Sequence, residues 1–346
     1  MLNAALATYA LPRFAAALRL ANVANDTWRK AEQFAASQRT AILAPGRGWD
    51  PVANWLRRAW LGKTKGWVGG PGDGPNDGVY SPQHGFAFLG GAFDADADRR
   101  AAAVDALESH CRPGWPYGYA YHCDADKDAP IDSGEGPGMW PALDYPTAMG
   151  LGRIGQTEEA WREFQRNSLS WQATVTPRVW AGIWSSADEI SADGTTGPVG
   201  RNYPALCMHR HAWPIVAAAA LAGLHFDERG LVLRPMLPLR LGATNYTATT
   251  AALRWDPGSR TYSGYYEPAA RARAKFGIAT ELGRRHPGDT VVTLTARVRA
   301  VQRHRGHGPG TGAVVEQTAT GRSSEVSLTM VTMQEASRVE FEVVLH

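Results

Sequence analysis

Apolar residues recur at three- and four-residue steps over 2–20, where Leu2, Leu6 and Tyr9 are followed by Leu11, Phe14 and Leu18, and the same spacing returns over 28–43. A single apolar stripe is what a helix buries against a neighbour, so the spacing predicts two helices that pair as a hairpin. Further helices are predicted over 82–93, 95–110, 141–154, 157–171 and 205–224, several of them preceded by Asp, Ser or Pro at starting positions. Between them run long loops rich in Gly, Pro and Trp. After Gly230 the period falls to two. Segments 246–255, 262–266, 290–301, 312–315 and 339–345 alternate, with turns at Asp256-Pro257-Gly258 and His286-Pro287-Gly288, which predicts an antiparallel sheet layer. The change of pattern near Gly223 to Pro238 divides the chain into a helical domain, 1–228, and a smaller β-rich domain, 229–346.

Composition narrows the class. A chain of 346 residues, 44% apolar and 20% charged, carries enough apolar material for a buried core and is not disordered. No uninterrupted apolar stretch is long enough for a membrane span, so no membrane partner is expected. Met1 to Asp26 is interrupted by Pro12, Arg13 and Arg19 and lacks a basic start, so it does not read as a signal peptide. The net charge of +3 is split as −1 over 1–250 and +4 over 251–346, too little to make nucleic acid the main partner. Cys111, Cys123 and Cys207 cannot all pair within one chain and show no CxxC spacing. Neither a disulfide nor a structural zinc site is therefore expected, and a reducing, cytoplasmic location follows as the milder assumption. No cofactor is implied.

The 13 tryptophans are the strongest chemical signal, and 11 of them lie between Trp49 and Trp213, mostly in loops. An indole offers a flat apolar face and one N–H donor, a match for the C–H face of a pyranose ring. Trp28, Trp161 and Trp171 stand at helical positions and read as packing residues. Trp67, Trp115, Trp140 and Trp184 read equally as sugar subsites or loop anchors. The turn from Asp132 through Gly134-Glu135-Gly136-Pro137-Gly138 to Trp140 holds one carboxylate at its centre, and glycosidic cleavage needs a pair of carboxyls. Taken alone, Glu135 is better explained as an acceptor of backbone N–H bonds in the turn or as a cap of the next helix. Asp188 and Glu189 follow Trp184-Ser185-Ser186-Ala187, and of these adjacent acids Asp188 is the candidate for a site. Asp144 is a further carboxylate, equally suited to the N-terminal dipole of the helix it opens. His209-Arg210-His211 is a weak metal signal, since residues two apart on a helix do not share a face; a hydrogen bond from one of His209 and His211 to sugar or to a catalytic carboxylate, with core packing for the other, is the better reading. No metal site is expected there or at His122-Cys123-Asp124.

Asn54 to Gly62 and the run Ser81-Pro82-Gln83-His84-Gly85-Phe86 through Ala92 resemble the later helices of six-hairpin glycosidases, especially the cellobiose-phosphorylase-like group. Glu135 to Trp140 resembles the Glu-Asn-Gly-Gly-aromatic turn of that group, and Gly223 to Pro238 its exit into a C-terminal β-layer. The resemblance covers about residues 1–240 in consistent order. It implies a mainly α fold, a partial (α/α)6 toroid of helical hairpins, followed by a small antiparallel β domain. It also implies an oligosaccharide substrate held where the inter-helix loops gather. The aspartate that serves as general acid in such enzymes belongs to an Asp-Trp-Asn-Asp-like motif, and no such motif occurs in this sequence. The resemblance therefore implies either the C-terminal part of a longer protein or a chain that has lost the acid. The Thr-Gly pair with which phosphorylases of the group hold phosphate is replaced by Cys207 to Trp213, which favours water as acceptor; Arg201 and Arg210 are the cations left to hold phosphate. The expectation is glycoside hydrolysis on gluco-oligosaccharides, with Glu135 as general base, Asp188 as sugar ligand or alternative base, and Trp67, Trp115, Trp140, Trp184, Arg201, His209 and His211 as substrate contacts. The competing expectations are a non-catalytic glycan-binding fragment, a disaccharide phosphorylase, and a scaffold whose tryptophans only pack.

Overall fold

Helix α1 (Leu2–Leu20) buries Ala5, Thr8 and Ala15, and α2 (Thr27–Leu43) buries Ala31, Ala35 and Ile42. The two pack together as the hairpin that their spacing predicts, but their buried residues are mostly small; Leu6 and Phe14 of the apolar pattern are exposed. The computed structural model describes residues 1–23, 26–72, 78–124, 138–177, 190, 209–227, 230–241, 244–247, 251–267, 277–280, 291–302, 310–322, 329–331 and 338–346. These divide into two compact units, Met1–Ala217 and Ala218–His346.

In the first unit, α3 (Ser81–Gly90) starts after the extended Tyr80 with Pro82 in its first turn and stops at Gly91, whose φ of 79° is left-handed. All ten of its residues are buried, as befits a helix covered on every side. It packs against both α1 and α5 (Pro141–Arg153). Two glycines permit this closeness. A Cβ on Gly85 would stand 2.1 Å from Thr147 Oγ1 of α5, and one on Gly90 would stand 1.8 Å from Thr8 Oγ1 of α1. Helix α4 (Ala97–Ala106) is capped by Asp96, which accepts the Arg99 N–H at 3.0 Å, and it widens at its end into a π-helical turn, Leu107–Cys111. Helix α6 (Thr157–Arg166) packs on α5. The helix expected over 157–171 breaks after it because Ser168 Oγ accepts the Trp171 N–H at 3.1 Å and starts α7 (Leu169–Val175). The segment between α2 and α3, expected to be loop, holds two short hairpins: β1 (Trp49–Asp50) with β2 (Trp55–Leu56), and β3 (Ala59–Trp60) with β4 (Trp67–Val68). Helix α8 (His209–Ala222) runs across the division between the units.

Cys111 and Cys123 form a disulfide. The cysteine spacing suggested no disulfide framework, and this one bond corrects that reading: an odd count forbids pairing all three cysteines and leaves one pair allowed.

The second unit is β-rich. Strands β5 (Leu224–Asp227), β6 (Gly230–Leu233), β10 (Gly277–Thr280) and β13 (Thr329–Val331) form a sheet in the order β13-β10-β6-β5. Its β6–β10 pair is parallel, so the layer is not purely antiparallel as expected. The larger sheet has the order β12-β11-β14-β9-β8-β7, from β7 (Thr244–Thr247), β8 (Ala251–Asp256), β9 (Thr261–Tyr266), β11 (Val291–Gln302), β12 (Gly310–Arg322) and β14 (Arg338–Leu345). Strand β14 alternates burial residue by residue, sending Val339, Phe341, Val343 and Leu345 inward. They join Leu253, Trp255 and Tyr262 with Leu224, Leu231 and Leu233 of the smaller sheet in one apolar cluster. Both sheets therefore share a core.

Candidate functional site

The segments before α3 and α5 are laced together by backbone bonds. Ser81 N–H donates to Tyr121 O at 3.1 Å, Cys123 N–H to Val79 O at 2.8 Å, and Tyr121 N–H to Gly138 O at 2.8 Å. Met139 and Ile190 exchange a pair of bonds at 2.8 and 3.0 Å, which brings in the segment that follows α7. Three connecting segments thus meet where α3 and α5 begin. Proline at the first turns of both helices and the extended residues Tyr80 and Trp140 before them fix this entry.

Aromatic rings and cations fill the junction. Tyr80 stacks on His122 with centroids 4.3 Å apart and planes 9° apart, and meets Tyr121 edge-on at 5.7 Å. Tyr121 stacks on Trp140 at 4.9 Å and 19°. The Arg58 guanidinium lies 4.8 Å from the Tyr80 ring centroid. Tyr80 and His122 are buried, whereas Tyr121 and Trp140 are half-buried and supply the accessible part. Beneath them, His84 Nε2 accepts the Leu56 N–H at 2.9 Å and Nδ1 donates to Tyr80 O at 2.9 Å. One ring nitrogen must stay unprotonated, and burial lowers the His84 pKa to about 4 despite the bond to Tyr80. It is a neutral structural histidine.

The loop 119–124 is held at both ends. Cys123 is bonded to Cys111, whose carbonyl accepts the Ala120 N–H at 3.0 Å. Asp124 accepts the Val79 N–H at 3.1 Å and pairs with His110 Nδ1 at 2.8 Å. Among the described residues no three His, Cys, Asp or Glu side chains gather in a way that would hold a metal ion.

Two buried carboxyls lie near Gly118, Asp144 on α5 and Glu163 on α6. Asp144 Oδ2 and Glu163 Oε1 stand 2.9 and 2.7 Å from the point where a Cβ on Gly118 would be. Asp144 is 1% exposed and Glu163 2%. Glu163 accepts the Tyr119 N–H at 2.8 Å and the Asn167 Nδ2–H at 3.2 Å. Burial raises its pKa to about 7, against the lowering effects of the Tyr119 bond, Arg166 and Arg162. Burial and then the charges of Glu163, Glu159 and Asp144 push the Tyr119 phenol up; its hydroxyl is hydrogen-bonded to Glu108, which also pairs with Arg162 at 2.9 Å. Of the two carboxyls, Glu163 is the one whose proton burial holds more tightly than water would.

Of the residues singled out in the sequence, Trp140 stands at the junction. Asp144 is one of the two buried carboxyls and not on an open face. Trp115 is 2% exposed, so both faces of its indole are covered by protein and it offers no sugar platform in this conformation. Trp67 lies in β4, its indole N–H donating to Gly46 O at 3.0 Å and its ring 5.6 Å from Trp60. His209 and His211 are in the first turn of α8, but their side chains lie outside the description, as do Glu135, Asp188, Trp184 and Arg201 altogether. Trp28 is flanked by Arg19 and Arg29, Trp161 stacks on Phe164 at 5.6 Å, and Trp171 donates its indole N–H to Pro116 O at 2.8 Å. Sequence reasoning missed Glu163, Tyr121 and the disulfide. The signal for Glu163 was its place three residues after buried Ala160 and four before buried Asn167, on the inward face of α6.

No family model matches the chain, and no curated protein matches it. Solved structures do match. One titled as a glycoside hydrolase is 10% identical over 95% of this chain and 54% of that one, with a TM-score of 0.27. An arabinose-bound α-L-arabinofuranosidase is 15% identical over 80% of this chain and 38% of its own, with a TM-score of 0.18. This chain spans about half the length of the first. Among the described residues, no helix is long and apolar enough to cross a membrane.

Proposed function

We propose that this chain is a carbohydrate-active protein of the six-hairpin glycosidase type, which binds gluco-oligosaccharides at the junction before α3 and α5 and hydrolyses their glycosidic bonds. The observation that carries the reading is the bond pair between Met139 and Ile190. It joins the two segments on which the candidate carboxylates stand, Glu135 four residues before Met139 and Asp188 two before Ile190. Beside that bridge, Trp140 and Tyr121 offer a stacked aromatic surface suited to a pyranose face. The row α1–α3–α5, with α2 on α1 and α6 on α5, suits an arc of an (α/α)6 ring. Glu135 then activates water as general base while Asp188 binds sugar or takes the base role. Trp184, Arg201, His209 and His211 are its further sugar contacts. A carboxyl separation of about 6.5–9.5 Å gives inversion, and about 5–5.5 Å gives retention. The Cys111–Cys123 bond supports an oxidising compartment in place of the cytoplasm.

The second reading is a non-catalytic glycan binder, favoured by the lack of an Asp-Trp-Asn-Asp-like motif in the sequence. Glu135→Gln separates the two. In an enzyme it lowers turnover of gluco-oligosaccharides by about 10²–10⁴-fold while the tryptophan fluorescence response to saccharide persists. A binder shows the fluorescence response and no turnover in either form, and a scaffold shows neither. Sugar phosphate as product, formed only with inorganic phosphate present, would show phosphorolysis instead.

A further inference from the structure

The β3–β4 hairpin begins directly after Arg58 and exposes two large apolar side chains. Trp60 is 53% exposed and the adjoining Leu61 46%. The exposure is not slackness of the chain. Trp60 is paired in register with Trp67, Arg58 N–H donates to Val68 O at 2.8 Å, and Leu61 N–H donates to Gly66 O at 2.8 Å. The turn closes through Gly62 and Gly66, at φ 94° and 70°, where other residues would be strained. Trp67, tied by its indole N–H to Gly46 O, backs the Trp60 ring at 5.6 Å and 60° between planes. The fold thus holds one indole rigidly outward.

Charge indicates the occupant. The hairpin itself, 59–68, carries Lys63 and Lys65 with no Asp or Glu, although residues 1–217 as a whole sum to −2. Arg57 is paired with Asp50 at 3.1 Å and Arg58 lies over Tyr80, while Lys63 and Lys65 are exposed on the turn beside Trp60. An exposed indole with two exposed lysines on the adjoining turn matches a sugar ring bearing a carboxylate.

We propose that the β3–β4 hairpin is a second glycan-binding surface that takes an acidic polysaccharide, Trp60 stacking on a uronic acid ring and Lys63 and Lys65 neutralising its carboxylates. The proposal rests on the carbohydrate reading above and extends it from short saccharides to a long, charged chain.

Affinity electrophoresis of the full chain through gels containing polygalacturonate, alginate, amylose or no polymer tests it, at low and high salt. The expected result is retardation by the polyuronates that weakens with salt, and much weaker retardation by amylose. Trp60→Ala should weaken polyuronate binding about tenfold, and Trp60→Phe should restore most of it. Lys63→Ala with Lys65→Ala should remove the salt dependence. The fluorescence response to gluco-oligosaccharides should be unchanged in all three variants. Retardation by polyuronate that Trp60→Ala leaves intact, equal retardation by amylose, or no retardation at all overturns the proposal. Loss of the oligosaccharide response or turnover with polyuronate binding retained overturns the junction reading alone.

Discussion

A methyl group on Gly118 would stand 2.7 Å from Glu163 Oε1. Both the backbone angle, φ 148°, and the buried carboxyls of Glu163 and Asp144 therefore select glycine here. Gly118→Ala is expected to lower stability by about 2–4 kcal/mol, read as a lower urea midpoint at unchanged slope.

Two buried groups give stability opposite slopes with pH. Glu163 holds its proton more tightly folded (about 7) than unfolded (4.5), so between these values the folded state binds more protons and stability falls as pH rises. His84 holds its proton less tightly folded (about 4) than unfolded (6.5), so stability falls as pH drops below 6.5. Over about pH 4.5–6.5 the two slopes oppose one another. In Glu163→Gln, stability should climb with pH across that window, and in His84→Gln it should decline. Urea midpoints measured at half-unit pH steps check both signs; equal slopes in the two variants would contradict the assignment.

The disulfide closes a short loop with a sequence separation of 12. Its removal by Cys111→Ala with Cys123→Ala should cost about 2–3 kcal/mol, because the unfolded chain regains the freedom of that loop. The unreduced, denatured protein should titrate with a thiol reagent as one free cysteine, and the reduced protein as three.

Trp140 is half-buried at the junction and stacks on Tyr121. Trp140→Ala should weaken the binding of gluco-oligosaccharides by about tenfold without a comparable drop in melting temperature, as followed by calorimetric titration. An unchanged affinity would remove the indole from the site.

Where one periodicity governed a whole element, the sequence was legible. The spacing over 2–20 and 28–43 yields α1 and α2, and the alternation of 339–345 yields β14 with every second residue inward. Elements set by partners rather than by pattern were not. Strand β12 runs through Gly310–Arg322, far beyond the expected 312–315, because Thr, Gly and Ala there carry no clear alternation and the ladder to β11 holds them. The expected strand 246–255 is two strands, β7 and β8, forming a hairpin. At the site, Trp140 announced itself as an aromatic beside glycines. Trp115 shared that context and turned inward, since neighbours in three dimensions decide which loop indoles are covered. Glu163 was hidden by its charge, which reads as solvent-facing until its helix face is compared with Ala160 and Asn167.

The wide turn Leu107–Cys111 adds a residue to the path by which α4 would otherwise end. Deleting one residue there would remove the extra residue and change which side chains the turn presents. The Cys111–Cys123 bond and the His110–Asp124 pair both start from this turn, so such a deletion would bear first on the loop that carries Tyr121 and His122. Insertion-and-deletion tolerance should therefore be lowest in these five positions, although none of them touches sugar.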